Sequence, residues 1–279
     1  MKPLSYLLLF LLSVVTWGCA EEDHPYVGYI TIDRAVVEST AGASATVTAN
    51  TDISSPISVE VTGDGAEWCT ASVNGKDITV TTTQANPDAD FRVATVNVKC
   101  GYRVAEMTVL QKYEGQEYLQ YDWSTWSVKG SDFQDGDGGG FDALLTENRG
   151  DFWHSQYNPA TPNPHWLLID MKEELSVDMF RIARRGYGAT NYPSVKVMEI
   201  YTSTDNENFA KVGGFTFALP WTAPDGTVVT GNSQLVPPYE DVILSAPVTA
   251  RYVKLVITET NNSSGGACQI GYFKAMQKI

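Results

Sequence analysis

The residues best suited to ligand recognition lie in one stretch, LLTENRGDFWHSQY, at residues 144–157. This stretch is rich in polar and turn residues and carries His154, Gln156 and Tyr157, and the apolar run HWLLIDM follows at residues 165–171. An imidazole, an amide and a phenol can donate and accept hydrogen bonds, and an aromatic ring can pack on apolar ligand surface. The pattern predicts a binding loop held on a β scaffold. It is not typical of a catalytic helix or a phosphate loop.

A second stretch of the same character is ARRGYGATNYP, at residues 183–193, which carries Arg185, Asn191 and Tyr192. Side chains alternate along a strand, so Arg184 and Arg185 should face opposite ways, and only one of them can reach a shared site. Arg185 is nearer the loop, so we predict that Arg185 is the arginine that contacts a ligand.

Two candidate residues have an alternative structural role. Trp221 lies in a long insertion, residues 218–238, and surface loops of that length are usually functional or mobile. We predict that its ring is the aromatic platform for a ligand; the alternative is an anchor of the insertion's own core. His154 is likewise either a ligand contact or a structural hydrogen-bonding group.

Charge and motif content exclude several functions. The 279-residue chain has 19 Lys and Arg against 33 Asp and Glu, a net charge of −14, so neither nucleic acid nor an anionic membrane surface is an expected electrostatic partner. The sequence contains no G-x-S-x-G, HExxH or nucleotide-binding loop, and its 3 histidines leave few options for a catalytic triad. We therefore predict that the protein is not an enzyme.

Residues 1–18 are a predicted export signal, because Lys2 precedes an apolar run that is too short to span a membrane. The residues before Cys19 resemble a bacterial lipoprotein cleavage site, and the acidic linker at residues 19–28 resembles the surface-export tag of Bacteroidota lipoproteins. The resemblance implies lipidation of Cys19 and attachment to the outer membrane, facing the cell surface, through the lipid anchor alone. An ordinary secretory signal is the alternative, and it would also export the protein.

Residues 29–112 show short alternating strands separated by turn residues, which predicts a small β-sandwich. Asn74-Gly75 separates two of these strands and predicts a hairpin in which both turn residues adopt positive φ. Alternation points Cys69 and Cys100 inward, either as a disulfide or as two buried free thiols.

The same region resembles BACON domains in three motifs, WC at 68–69, RVATV at 92–96 and VLQ at 109–111. BACON domains are immunoglobulin-like modules that precede carbohydrate-active domains in Bacteroidota proteins. The resemblance implies an immunoglobulin-like β-sandwich that acts as a spacer. Residues 113–120 are then a short linker to a second domain.

Residues 121–279 contain longer strands without helical periodicity, which predicts a second β-sandwich or jelly roll and an all-β fold for the whole protein. Six motifs in this region stand in the order typical of the coagulation factor 5/8 type C, or discoidin, family. They are WSV at 126–128, FWHS at 152–155, HWLLIDM at 165–171, RR at 184–185, YTSTDNENF at 201–209 and ARYVKL at 250–255. The resemblance covers nearly all of this predicted domain.

This resemblance implies a discoidin-type β-sandwich whose loops bind carbohydrate. Such domains in bacterial surface proteins are similar to family 32 carbohydrate-binding modules, which often bind galactose-configured sugars. Arg185 with Asn191 would then act as the pair that holds the sugar, and the expected partner is a glycan or glycoconjugate. The alternative is a protein-binding or adhesive accessory module with protein partners in a surface complex.

Discoidin-type domains often hold a structural calcium ion, and the resemblance aligns its loop with residues 146–151. Thr146 and Gln269 stand where the family carries an Asp and a Glu. Calcium prefers several oxygen ligands including carboxylates, so the sequence predicts no required cofactor and leaves open a calcium site with altered ligands. The candidate ligands of that altered site are Glu147, Asn148 and Asp151.

A separate acidic run, DFQDGDGGG at residues 132–140, also resembles a calcium loop. It lacks the downstream bidentate glutamate that such a loop requires. We therefore predict a solvated turn at these residues.

Overall fold

The computed structural model describes residues 27–186, 195–231, 233, 235–261 and 266–279. These residues form an almost entirely β structure, which confirms the predicted all-β class. The chain divides into two compact units between Glu114 and Gly115. Within the described ranges, none of the helices has the length and apolar content that crossing a bilayer requires.

The first unit contains two facing sheets around one core. Its elements are β1 Ile30–Thr31, β2 Ala35–Val37, β3 Ser44–Thr48, β4 Asn50–Thr51, β5 Ile57–Thr62, the 3-10 helix Gly63–Glu67, β6 Cys69–Asn74, β7 Asp77–Thr82, β8 Arg92–Cys100 and β9 Arg103–Gln111. One sheet has the order β2-β9-β8-β5 and the other β3-β7-β6. Alternate residues of β7 and β8, such as Ile78 and Val96, are fully buried between them. The immunoglobulin-like and BACON assignments of this unit stay predictions.

The predicted hairpin joins β6 and β7, but its turn lies one residue later than expected. Asn74 pairs with Asp77 as the last rung of the ladder, so Gly75 and Lys76 form the turn. Only Gly75 of these residues has positive φ, at 63°. The expectation of positive φ at Asn74 was therefore wrong, because Asn74 is still part of the strand.

The cysteines of the first unit are buried free thiols rather than a disulfide. Cys69 begins β6 and Cys100 ends β8, and both face the core with exposures of 1% and 0%. Burial raises the pKa of the Cys69 thiol, although the nearby charge of Arg92 acts in the opposite direction. The sequence left open a disulfide or two buried free thiols, and the structure contains the two free thiols, which are unreactive when buried in this way.

The second unit is a larger sandwich built on two long strands. Its elements are β10 Tyr118–Gln120, β11 Ser127–Gly130, the 3-10 helix Phe141–Leu145, β12 Trp153–His154, β13 His165–Ala183, β14 Val195–Ser203, β15 Ala210–Thr216, β16 Trp221–Thr222, β17 Val228–Val229, β18 Glu240–Thr260, β19 Gln269–Ile270 and β20 Tyr272–Lys278. The main sheet has the order β10-β20-β13-β18-β14-β15, and β11 also pairs with β13. Strand β10 lies within the predicted linker at 113–120, so that part of the prediction was wrong.

Strand β13 includes two segments that the sequence predicted as separate strands, HWLLIDM and MFRIARR. Its first part pairs with β11 and its second part with β20. Between them the register shifts from Asp170 to Leu175, and Lys172 has a φ of 71°. A bulge of this kind bends a strand without ending it, so one strand contributes to both layers around the core. Strand β13 ends at Ala183, which leaves both arginines of the RR motif just beyond the sheet.

Candidate functional site

Strand β12 is the centre of the candidate site. It pairs with β19 at the edge of the core, with Trp153 opposite Ile270 and His154 opposite Gln269. Trp153 is fully buried, and its Nε1 donates a hydrogen bond to the backbone oxygen of Asp132 at 2.8 Å. This tryptophan is therefore a core residue that fixes the position of His154 next to it.

His154 is held in one tautomer by the backbone of the next residue, Ser155. Its Nδ1 lies 2.7 Å from the carbonyl oxygen of Ser155. A carbonyl only accepts, so Nδ1 carries the hydrogen and Nε2 of the neutral ring is an acceptor. Burial lowers the pKa of His154; the Ser155 hydrogen bond and the charge of Asp137 oppose this effect, while the charge of Arg185 adds to it. The negative charge of Asp137 and the positive charge of Arg185 therefore both lie near the imidazole.

The acidic run at residues 132–140 is a turn whose residues are exposed or half-buried, as predicted, and it also forms part of the candidate site. The backbone nitrogens of Gln134 and Gly139 donate to the carbonyl oxygens of His154 and Phe152, at 2.9 and 3.0 Å. Two backbone hydrogen bonds therefore attach the loop to β12 and to the residue before it. A Cβ at Gly138 would lie 2.3 Å from the Phe152 oxygen, so this close approach requires glycine.

Asp132 attaches this loop to the rest of the domain. Its Oδ1 accepts a hydrogen bond from the backbone nitrogen of Gln156 at 2.7 Å, and its Oδ2 lies 2.9 Å from Nδ1 of His165. Nε2 of His165 lies 3.0 Å from the carbonyl oxygen of Gly266. His165 is fully buried, so a single carboxylate holds a loop, a strand and the segment after β12 together.

Tyr157 is the exposed aromatic residue of the site. It is 44% exposed, and its ring lies 4.9 Å from the imidazole of His154. Its hydroxyl donates to Oδ2 of Asp137 at 3.1 Å, and its backbone nitrogen donates to Oε1 of Gln134. The backbone oxygen of Gln156 accepts two hydrogen bonds from Thr161. The rings of His154 and Tyr157 therefore lie side by side, whereas the contacts of Gln156 described here are made by its backbone.

The two arginines after β13 have opposite environments. Arg184 is 2% exposed and donates from Nη1 to the carbonyl oxygen of Ala218 at 3.0 Å. Arg185 is half-buried, and its guanidinium carbon lies 3.9 Å from the ring centroid of Phe152. Arg184 is thus the structural residue, and Arg185 lies beside His154. We call Asp137, Phe152, His154, Tyr157 and Arg185 the binding wall.

The prediction of Trp221 as an aromatic platform was wrong. Trp221 is only 6% exposed, because the hairpin β16-β17 folds its ring into a small core with Ala223 and Val229. Trp221 is therefore an anchor of the insertion's own core and not a platform for a ligand. Asn191 and Tyr192 lie outside the described residues, as does Cys19.

Two of the three candidate calcium ligands, Glu147 and Asn148, already have partners within the protein. Glu147 Oε1 lies 3.1 Å from the ammonium of Lys274, and Asn148 Oδ1 accepts a hydrogen bond from the nitrogen of Gly150 at 3.0 Å. Thr146 donates its hydroxyl to the backbone oxygen of Asn148, and the neutral Gln269 replaces a carboxylate. Across the described ranges, no group of three or more His, Cys, Asp or Glu side chains is placed to hold a metal ion.

The candidate site therefore lies on connecting segments of a rigid β-sandwich, where binding residues are commonly found. Comparison with protein families matches residues 124–270 to the F5/8 type C domain. This match spans more than half of the chain, so the chain belongs to that family. The predicted discoidin resemblance is confirmed.

Several solved structures are similar to this chain. One is the C-terminal domain of a chitobiase from Bacteroides fragilis, with 21% identity over 58% of this chain and 99% of that one, and a TM-score of 0.45. Another is the family 32 carbohydrate-binding module of Clostridium perfringens NanJ in complex with galactose, with 16% identity over 57% and 99% and a TM-score of 0.44. A family 32 module of C. perfringens CpGH89 in complex with GalNAc-β-1,3-galactose has 16% identity over 54% and 94% and a TM-score of 0.42. No curated protein matched the chain.

Proposed function

We propose that the F5/8 type C domain of this protein binds carbohydrate through the binding wall, with galactose-configured glycans as the ligand class. In this proposal the protein is a non-catalytic lipoprotein of the outer-membrane surface, attached through Cys19, and its first unit is a spacer. The expected partner is a glycan or glycoconjugate at the cell surface.

The observation that carries the proposal is the convergence of complementary polar groups beside one exposed ring. Nε2 of His154 and the carboxylate of Asp137 accept hydrogen bonds, while the guanidinium of Arg185 donates them. Vicinal hydroxyls of a pyranose need both kinds of partner. The ring of Tyr157 is exposed and can pack on the apolar C–H face of the sugar.

The arrangement also favours binding over hydrolysis. Cleavage of a glycosidic bond needs two carboxyl groups on opposite sides of that bond. Asp132 is occupied by Gln156 and His165, and Asp137 accepts the hydroxyl of Tyr157. Within the described part of the wall, Asp137 is the one carboxylate that faces a bound sugar.

The test is a glycan array with the purified protein, followed by calorimetry with the glycans that bind. Asp137→Asn keeps the size of the side chain and removes its charge, and we expect it to lower the affinity at least about tenfold, or 1.4 kcal/mol. Asp135→Asn is the matched control, because Asp135 is an exposed acid of the same loop. Equal effects of the two variants would contradict the role of Asp137.

The array also separates this function from a protein-binding role. A folded protein that binds no glycan, but captures one protein partner even in excess free sugar, would support an adhesive module and overturn the proposal. Membrane fractionation of the full-length protein and of Cys19→Ser tests the lipid anchor separately.

A further inference from the structure

The loop that the resemblance aligns with a metal site, residues 146–151, contains a buried cation of its own. Arg149 is only 8% exposed. Its guanidinium donates from Nη2 to the carbonyl oxygen of Arg184 at 3.1 Å and lies 4.5 Å from the ring centroid of Tyr239. Its backbone oxygen accepts a hydrogen bond from Gly186 at 2.6 Å. Arg149 thus ties the loop to the end of β13 through both its backbone and its side chain.

A second buried cation reaches the same loop from β20. Lys274 is fully buried, and its ammonium lies 3.1 Å from the carboxylate of Glu147. The ammonium also packs on the ring of Trp123, whose Nε1 donates to the carbonyl oxygen of Leu145 at 2.8 Å. Lys274 therefore holds the beginning of the loop against a neighbouring strand.

These two cations change what the loop can bind. A calcium ion requires six to eight oxygens, and charged carboxylates are the strongest of them. Here Glu147 already has a positive partner, and the carboxylate aligned with Gln269 is absent. Arg149 also adds a buried positive charge to the loop itself, which disfavours a second cation there.

We propose that Arg149 and Lys274 replace calcium in fastening the loop at residues 146–151, so that this domain folds and presents its binding wall without metal. The charges that connect the loop to β13 and β20 are part of the chain and do not depend on the ion supply outside the cell. The inference concerns the stability of the domain and does not depend on the ligand of the binding wall.

The first test is thermal unfolding of the purified protein in a chelator and in millimolar calcium, with calorimetric titration of calcium alone. If the loop is fastened without metal, the unfolding midpoint is the same in both solutions and the calcium titration gives no saturable heat of binding. A midpoint that rises with calcium, or one equivalent of calcium bound, would overturn it.

The second test compares Lys274→Met with Lys196→Met. Lys196 also forms an ion pair, with Glu259 at 2.6 Å, but its side chain is 46% exposed. Glu147 is 61% exposed, so the pair with Lys274 is buried on the lysine side only. Lys274→Met removes a fully buried ammonium that packs on Trp123 as well as pairing with Glu147, whereas Lys196→Met removes one exposed ion pair. We therefore expect Lys274→Met to lower the midpoint by about 5–10 °C and Lys196→Met by less than about 2 °C. Equal shifts would overturn the fastening role of Lys274.

A third variant, Glu147→Gln, covers the case in which Lys274→Met does not fold. It keeps the size of the side chain and leaves Lys274 buried without its anion, so we expect a lowered midpoint that calcium does not restore. Restoration by calcium, or an unchanged midpoint, would contradict the proposal.

Discussion

Replacing Asp132 with alanine is expected to destabilise the second unit and disconnect the binding wall. Asp132 accepts a hydrogen bond from the backbone nitrogen of Gln156 at 2.7 Å and meets Nδ1 of His165 at 2.9 Å. His165 Nε2 faces the carbonyl oxygen of Gly266, so Nε2 carries a hydrogen whatever happens at Nδ1. The alanine variant therefore leaves Nδ1 and the nitrogen of Gln156 without their partner.

The size of the effect follows from the burial of these groups. His165 has no exposed surface, and the side chain of Asp132 is 9% exposed. Leaving a buried polar group unsatisfied costs about 1–3 kcal/mol, so two such groups cost about 3 kcal/mol once some water enters the space. For a unit of this size that corresponds to a fall of about 6–12 °C in the unfolding midpoint.

Asp132→Asn is the matched comparison. The amide keeps an oxygen for Gln156, and its nitrogen can donate to Nδ1 of a neutral His165. We expect a loss of about half that of the alanine variant, because the hydrogen bonds that outweigh desolvation and lower the pKa of Asp132 favour the charged form. Thermal unfolding and glycan calorimetry of both variants measure stability and binding. If alanine and asparagine cost the same, or if alanine costs less than about 1 kcal/mol, Asp132 is not the residue that fastens this loop to His165 and Gln156.

Three other perturbations give separate expectations. Arg185→Ala should abolish measurable glycan binding by calorimetry while lowering the unfolding midpoint only slightly, since its stacking on Phe152 contributes about 0.5–1 kcal/mol. Trp221→Ala should cost about 2–4 kcal/mol of stability, measured by denaturant unfolding, and leave glycan affinity unchanged because the ring is packed in the insertion. Burial lowers the pKa of His154 in the folded protein. The stability due to its neutral ring is therefore present above about pH 6.5, the pKa of an unfolded histidine, and is lost as the pH falls towards the lowered pKa of the folded state. Unfolding midpoints measured between pH 7 and 5 test this.

Each expectation has a contrary result. A large loss of stability in Arg185→Ala would make that arginine structural, and weaker glycan binding in Trp221→Ala would return that ring to the site. His154→Gln removes the titrating group, so its midpoint should fall less with decreasing pH than that of the parent protein. If the unfolding midpoints of His154→Gln and of the parent protein fall in parallel with pH, groups other than His154 cause the pH dependence of stability.

Much of the fold was predictable because it depends on local patterns. Alternation along β7 and β8 identifies the buried faces, and Gly75 marks the hairpin before β7. The order of six motifs also identified the family of the second domain. The strand boundaries were less predictable, because the bulge after Asp170 bends β13 and depends on pairing with strands far along the chain.

The site shows the same division. His154 and Tyr157, which are close in the stretch at residues 144–157, have their rings 4.9 Å apart; the ligand-binding role of these residues and of Gln156 stays a prediction. The partnership of Asp132 with His165, 33 residues away, and the burial of Trp221 have no local signal in residue type or spacing. Alternation shows which way a side chain points from its own strand, but tertiary packing decides what it meets there. The sequence by itself therefore determined the fold class and the family, which depend on local patterns, and only the tertiary structure decided which polar and aromatic groups come together around β12.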